Sequence, residues 1–416
     1  MDRPVSDGGE TPASVESIAS WRTAWFVLAI LTISYGSPLL IVVGLKPIQE
    51  GLGTERSVVA LVVALVWIGT GLGGIFMGWL ADRIGVRATV AIGACMTAAG
   101  LVLSSLGWIW ALVVGHALMG LLGNAGVYPP LLIYVSRWFD RRRGTAIALI
   151  SSGQYIAGVI WPAFFERAIA SIGWQMLMTG YAVLVVVTIL PATLLLKPVP
   201  VAPQYLPRTS IKEQPFGGLH PNLIQVLLCV AAFCCCIPMA VPQAHLVAFC
   251  TDVGISPTRS ATMLSVMLAA AFMARQAWGA LADRVGGLRT ILAGSALQAL
   301  AIVAFSLTQD EAGLFVIAAA YGLGFAGIIP AYSVAIRDVF PSAEASWRMP
   351  LTLFAGMSGM AGGSWFAGLL YDHFGSYAPA FMAGVVFNIV NLLLIGFLVL
   401  RLPNIQAAHR YPATNN

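Results

Sequence analysis

Gly78-Trp-Leu-Ala-Asp82-Arg83-Ile-Gly85-Val-Arg87 returns, 201 residues further on, as Gly279-Ala-Leu-Ala-Asp283-Arg284-Val-Gly286-Gly-Leu-Arg289. The interval is close to half of a 416-residue chain, so the sequence reads as two copies of one unit. Each copy closes an apolar run. Gly78 and Gly279 lack a side chain, which lets two helices approach closely. Asp82 and Asp283 sit at helix ends beside arginines that can pair with them. The eight residues Gly78, Asp82, Arg83, Arg87, Gly279, Asp283, Arg284 and Arg289 are expected to form a gate that latches two bundles in one state and releases them in another. A plain topogenic turn is the alternative.

Working outward from the motif, apolar segments of roughly 20 residues recur, each spanning about 30 Å at 1.5 Å per residue. They fall near 24–46, 57–81, 88–107, 109–135, 144–166, 174–196, 223–250, 258–282, 290–308, 312–336, 350–371 and 378–400. The polar, proline-rich stretch 197–222 splits them six and six. The expected organisation is a tail over 1–20, a six-helix bundle over 21–196, the linker, a second six-helix bundle over 223–403 and a tail over 404–416. The fold class is an all-α membrane protein of twelve transmembrane helices in two pseudo-symmetric bundles.

Composition agrees. Hydrophobic residues make up 59% of the chain and charged residues 9%, where soluble domains carry about 25% charged. A globule of this composition could not cover its surface. No cleavable signal peptide is evident. The net charge of +5 would suit a nucleic-acid partner in a soluble protein; here the excess reads as a topology signal. With both termini inside, 17 lysines and arginines fall on the inner side and four (Lys46, Arg56, Arg167, Arg259) on the outer. The positive-inside rule therefore places both termini in the cytoplasm, in a bacterial inner membrane or a plasma membrane. The six cysteines lie in apolar runs without metal-ligand spacing, so no metal and no cofactor is expected, and a monomer in the bilayer is the expected form.

The repeated motif resembles the signature loop of the major facilitator superfamily, and the likeness covers Trp21 to Pro403. Three stretches resemble its monocarboxylate transporter and oxalate–formate antiporter branch: Ser34-Tyr35-Gly-Ser-Pro38 continuing to Lys46, Tyr128-Pro129 followed by Arg137-Trp-Phe-Asp-Arg-Arg-Arg-Gly144, and His245 to Ser256 leading to Ala274-Arg275-Gln-Ala-Trp-Gly279. The resemblance implies that Arg275 holds a substrate carboxylate. Leu39 and Ala271 stand where animal members of the branch carry a lysine and an acidic residue for proton coupling. No lysine stands inside helix 11, where the antiporter uses one. These departures favour a substrate with one carboxylate and leave proton symport and anion exchange both open.

The residues support the same site independently. Arg275 lies eight residues before Asp283, about 12 Å along the helix from that end. An arginine at depth costs about 2.5–3.5 kcal/mol on insertion scales and cannot shed its proton. A planar guanidinium suits a carboxylate through two parallel hydrogen bonds. Empty, such a site holds one uncompensated charge; loaded with a monoanion, it is neutral and easier to enclose.

Tyr35, Tyr128, Gln154 and Tyr332 lie in spans expected to face the central cavity, where hydroxyl and amide groups complete a pocket. His116 and His245 are the side chains inside spans that titrate near neutral pH and so the candidates for coupling to protons. Interhelical packing is the alternative for each. The glycine runs at 69–74 and 356–368 read as close helix contacts rather than phosphate loops, because no P-loop lysine follows. The leading expectation is secondary transport of a lactate-like or pyruvate-like monocarboxylate. Efflux of organic anions or amphipathic drugs is a second, and a membrane-embedded ligand sensor a third. No nucleophile, metal cluster or redox motif supports an enzyme.

Overall fold

The computed structural model describes residues 16–139, 142–198 and 218–402; most of the linker and both tails lie outside them. The first half runs α1 (Ile18–Ser34), α2 (Gly36–Leu52), α3 (Arg56–Ile84), α4 (Val86–Ser104), α5 (Ile109–Leu118), a π-helical turn (Met119–Asn124), α6 (Ala125–Ser136), α7 (Arg143–Ser151), α8 (Gly153–Ile172) and α9 (Trp174–Leu195). The second runs α10 (Pro221–Asp252), α11 (Pro257–Val285), α12 (Gly287–Leu307), α13 (Glu311–Phe325), α14 (Ile328–Val339), α15 (Ser342–Phe374) and α16 (Ala378–Arg401). Among the described residues there is no strand.

Among the described residues, eleven helical stretches are long and apolar enough to cross a bilayer. One of them, Gly144–Leu195, has 52 residues, more than twice what a hydrocarbon core of about 30 Å needs. It is divided at Gly173, whose φ of 79° turns the chain back. The total is twelve spans, six on each side of the linker. The broken spans explain the larger number of helices: α1 with α2, α5 with α6, α7 with α8, and α13 with α14 each make one crossing.

The repeat is a repeat of backbone as well as of letters. Gly85 has φ 86° and ψ 157°, and Gly286 has φ 86° and ψ 163°. Side-chain-bearing residues avoid that region. In both copies the glycine N–H closes the preceding helix, on Ala81 and Ala282, and the next helix starts at once.

The halves meet along two seams, α3 against α15 and α8 against α11. Glycines bring them together. A Cβ at Gly368 would lie 2.8 Å from Ser57 Cα and 2.9 Å from Ala60 Cβ, and one at Gly71 would lie 2.9 Å from the Phe354 ring. Gly69, Gly73, Gly359 and Gly363 instead pack within their own halves.

One face of the molecule is clasped. Asp252, ending α10, pairs with Arg56, starting α3, and with Lys46 on α2 at 3.1 Å. The Arg56 guanidinium lies 3.7 Å from the centre of the Tyr371 ring. On the opposite face, nearer the linker, no ion pair joins the halves among the described residues. The close approach expected at Gly78 and Gly279 is not made there: a Cβ at either would meet nothing within 4 Å. The contacts between halves are spent on the clasp and the seams, and Asp82, Asp283 and Arg284 stay exposed.

Candidate functional site

Three helix irregularities bring polar groups to the middle of the molecule. The first is the break at Tyr35, between α1 and α2. Pro38 has no N–H to offer Ser34, so the ladder is interrupted there. The neighbouring carbonyls are satisfied from other helices: Trp161 Nε1 donates to Thr32 O at 2.9 Å, and the Tyr181 hydroxyl donates to Ile33 O at 2.7 Å. Gly36 is required beside them, because a Cβ would run into the Tyr181 ring and lie 2.9 Å from Trp161. Irregular backbone at membrane depth needs such partners.

The second is the π-helical turn over Met119–Asn124, followed within α6 by Pro129 and Pro130. The prolines remove two ladder donors, and the wider turn absorbs the misfit. Tyr128 sits just ahead of the prolines. Its ring meets Tyr35 edge-on, with centroids 5.5 Å apart, and its hydroxyl reaches Ser151 Oγ at 3.5 Å. The third is the junction of α7 and α8, where Ser151 and Ser152 hydroxyls turn back to bond Ile147 O and Ala148 O.

Arg275 on α11 faces this group from the other half. It is partly buried, and its Nη1 donates to the Tyr155 hydroxyl at 3.2 Å. The guanidinium carbon lies 5.3 Å from the Tyr155 ring centre. Tyr35 lies within electrostatic reach of Arg275, Tyr128 and Tyr155. Among the described residues Arg275 forms no ion pair. Four donors therefore remain beyond the one given to Tyr155. Ala271, one turn before Arg275, is fully buried and Leu39 half-buried, and neither carries charge.

The expected residues divide. Arg275, Tyr35 and Tyr128 come together. Gln154 is half-buried on α8 beside Tyr155, with no side-chain hydrogen bond among the described residues. Tyr332 does not join them. It is 1% exposed and its hydroxyl donates to Asn391 Oδ1 at 2.9 Å, inside the second bundle. There Asn391, Asn388, Ser295, Gln298 and Cys235 form a buried polar network. The expectation of a cavity-facing Tyr332 fails because a helix apolar on all sides does not announce which face is inward.

The two histidines also lie away from Arg275. His116 is buried between α4 and α5, with Nδ1 at 2.9 Å from Ser104 Oγ and 3.1 Å from Leu112 O. His245 is buried behind the clasp. Its Nε2 lies 2.8 Å from Ser364 O and its Nδ1 lies 2.9 Å from the Tyr377 hydroxyl. A carbonyl only accepts, so Nε2 carries the proton and Nδ1 accepts from Tyr377. Tyr377 in turn accepts from Arg56 Nη1 at 3.2 Å. His245 is thereby wired to the clasp, not to the central arginine.

Of the expected latch residues, Asp82, Arg83 and Arg87 make their contacts within the first half. Asp82 pairs with Arg137 at 3.6 Å, both exposed. Arg87 donates to Leu196 O, and Arg83 lies over the Trp79 ring. The Gly287 N–H donates to Asp338, which fixes the start of α12. Sequence reasoning missed Tyr155, Arg56, Asp252 and Asp372. A signal existed for Tyr155 alone, since it adjoins Gln154 in a span already placed at the cavity.

Comparison with known proteins fits this architecture. The family model described as Major Facilitator Superfamily matches residues 24–241 and 228–413. The chain is 25% identical over 298 residues to MFS-type transporter 1 of Ophiocordyceps sp. (strain BCC 1869), covering 69% of this chain and 64% of that protein. It thus spans just under two thirds of that relative's length. It is 26% identical over 321 residues to Monocarboxylate transporter 13 of Rattus norvegicus, covering 74% and 72%. A bacterial homolog of the human lysosomal transporter Spinster, solved inward-facing and unoccupied, superimposes with a TM-score of 0.73 at 15% identity over 96% of this chain. At that identity the likeness concerns the fold.

Proposed function

Because the chain belongs to the major facilitator superfamily, we propose that it is a secondary transporter carrying a small monocarboxylate, lactate-like or pyruvate-like, by alternating access. The observation that carries the reading is Arg275: a cation inside a span, without an ion pair among the described residues, whose Nη1 donates to the Tyr155 hydroxyl of the opposite half. A carboxylate bound there would neutralise the charge through paired hydrogen bonds. The Tyr35 and Tyr128 hydroxyls would meet a second oxygen or a 2-hydroxyl group. Among the described residues no carboxylate pairs with Arg275, which disfavours zwitterionic and cationic substrates. The similarity to a protein named as a monocarboxylate transporter supports the same class.

With both termini cytoplasmic, as the arginine and lysine distribution favours, the clasp would be external, and the face where no ion pair joins the halves among the described residues would be cytoplasmic. Asp82, Asp283 and their arginines are then the groups that would meet when that side closes. Proton symport and anion exchange are both compatible with this arrangement. His245, wired to the clasp through Tyr377, is the better placed of the two histidines for a proton role.

The test is a thermal-shift screen of small carboxylates on purified protein, with Arg275→Lys and Arg275→Ala alongside. Arg275→Lys keeps the charge and loses the planar fork, so it should bind roughly 10- to 100-fold more weakly. Arg275→Ala should not bind. A carboxylate that stabilises all three proteins equally would remove Arg275 as its anchor.

A further inference from the structure

We infer that Tyr155 is the ligand Arg275 holds when no substrate is present, and that this neutral stand-in lets the carrier return empty, so that it performs net transport and not obligatory exchange. The inference rests on Arg275 as the anion anchor. It assigns Tyr155 a positioning role that competes with substrate instead of binding it.

The contact is built, not incidental. Tyr155 is 4% exposed. Its backbone belongs to α8 in the first half, but its ring is steadied from the second. Phe325 meets it edge-on at 6.1 Å and packs on Tyr321 at 5.2 Å, and the Tyr321 hydroxyl donates to Met239 O at 3.0 Å. The Arg275–Tyr155 bond crosses the α8–α11 seam, so it ties the halves at the level of the site. Close by on that seam, a Cβ at Gly158 would run into Leu268, which keeps the two backbones near.

A phenol offers a guanidinium both a lone pair and a π face. Neither carries charge, so the pair stays positive and less fully compensated than an arginine–carboxylate pair. It is present in every cycle, however. An incoming carboxylate is the stronger acceptor and can take two donors at once, so it displaces the Tyr155 hydroxyl. Tyr155 therefore lowers substrate affinity and, by the same contact, makes the empty protein easier to close. A second interpretation, that Tyr155 contacts the substrate directly, predicts the opposite effect on affinity.

The experiment compares the wild-type chain with Tyr155→Phe and Tyr155→Leu, using L-lactate as the probe. Binding is titrated by thermal shift. Proteoliposomes report net efflux into lactate-free buffer and counterflow against saturating lactate. Removing the hydroxyl should lower the lactate Kd about threefold to tenfold, the worth of one hydrogen bond of ordinary strength. It should also raise the ratio of counterflow to net efflux about tenfold. Tyr155→Leu, which loses the ring as well, should move both further in the same direction. A weaker Kd in Tyr155→Phe, or an unchanged flux ratio, overturns the inference.

Should both variants fail to purify as folded protein, the wild type decides alone. Net efflux within about tenfold of counterflow supports the stand-in, and net efflux below that overturns it. Lactate that neither binds nor moves with the wild type removes the anchor reading itself, and this inference with it. Lactate that binds wild type but is indifferent to Arg275→Ala does the same. Either result differs from a failure at Tyr155 alone.

Discussion

Asp372, at the end of α15 in the second half, accepts the backbone N–H of Arg56, the first residue of α3 in the first half, at 2.9 Å. Its other oxygen accepts the N–H of Ser57 at 2.8 Å. The residue preceding α3, Glu55, makes no capping hydrogen bond of its own. The helix start is therefore capped in trans, by a carboxylate 316 residues away. The first amides of a helix lack internal partners and attract negative charge. This cap is satisfied only while the clasp face is shut.

Asp372→Asn keeps the shape and one accepting oxygen but removes the charge. One hydrogen bond is lost and the other loses its charge, at a cost of about 1–3 kcal/mol. The equilibrium should shift toward the state open at the clasp face by about tenfold or more. Spin labels on Glu55→Cys and Ser376→Cys, in a background lacking native cysteines, would report this as a second, longer distance. A distribution identical to that of wild type would show that the trans cap does not hold the closed state.

Gly368 makes the same point by packing. Its missing Cβ leaves room for the Ser57 backbone at 2.8 Å. Gly368→Val should force α3 and α15 apart near the clasp and favour opening there. A control at Gly180, where a Cβ meets nothing within 4 Å, should leave the label distances unaltered. If Gly368→Val keeps the wild-type distances, the seam has slack that the contacts do not reveal.

The parts of this architecture that were legible in the sequence are those set by composition and by covalent chemistry. Twelve crossings follow from apolar length, and the two-fold repeat follows from Gly85 and Gly286, whose shared backbone only glycine adopts readily. Arg275 was legible because charge in an apolar span is conspicuous. Which way a tyrosine points was not. Tyr332 and Tyr155 sit in equally apolar helices, yet one turns into a bundle core and the other across the seam. Arg56, Asp252 and Asp372 stand at span ends, where they looked like boundary markers. Their pairing joins positions 196 and 316 residues apart, and no local pattern encodes such a contact.

Tyr332 provides a check on that distinction. Tyr332→Phe deletes the hydrogen bond to Asn391 and leaves a buried amide oxygen short of a donor. Loss of one partner of a buried pair costs about 1–3 kcal/mol. The variant should melt earlier, with its carboxylate affinity within twofold of wild type. A large affinity loss at unchanged stability would return Tyr332 to the binding site.

Arg275 itself should behave as a liability in the empty protein. It sits in an apolar span, partly buried, with one neutral partner and no counter-charge among the described residues. Desolvation of such a charge is not repaid by a phenol. Arg275→Met preserves much of the length and removes the charge, so the unliganded protein should gain about 1–3 kcal/mol of stability. Carboxylates should no longer raise its melting temperature. Function and stability then oppose each other at one side chain, as expected where a charge is kept for a ligand. If unliganded Arg275→Met melts below wild type, the arginine is structural and its hydrogen bond to Tyr155 is an end in itself.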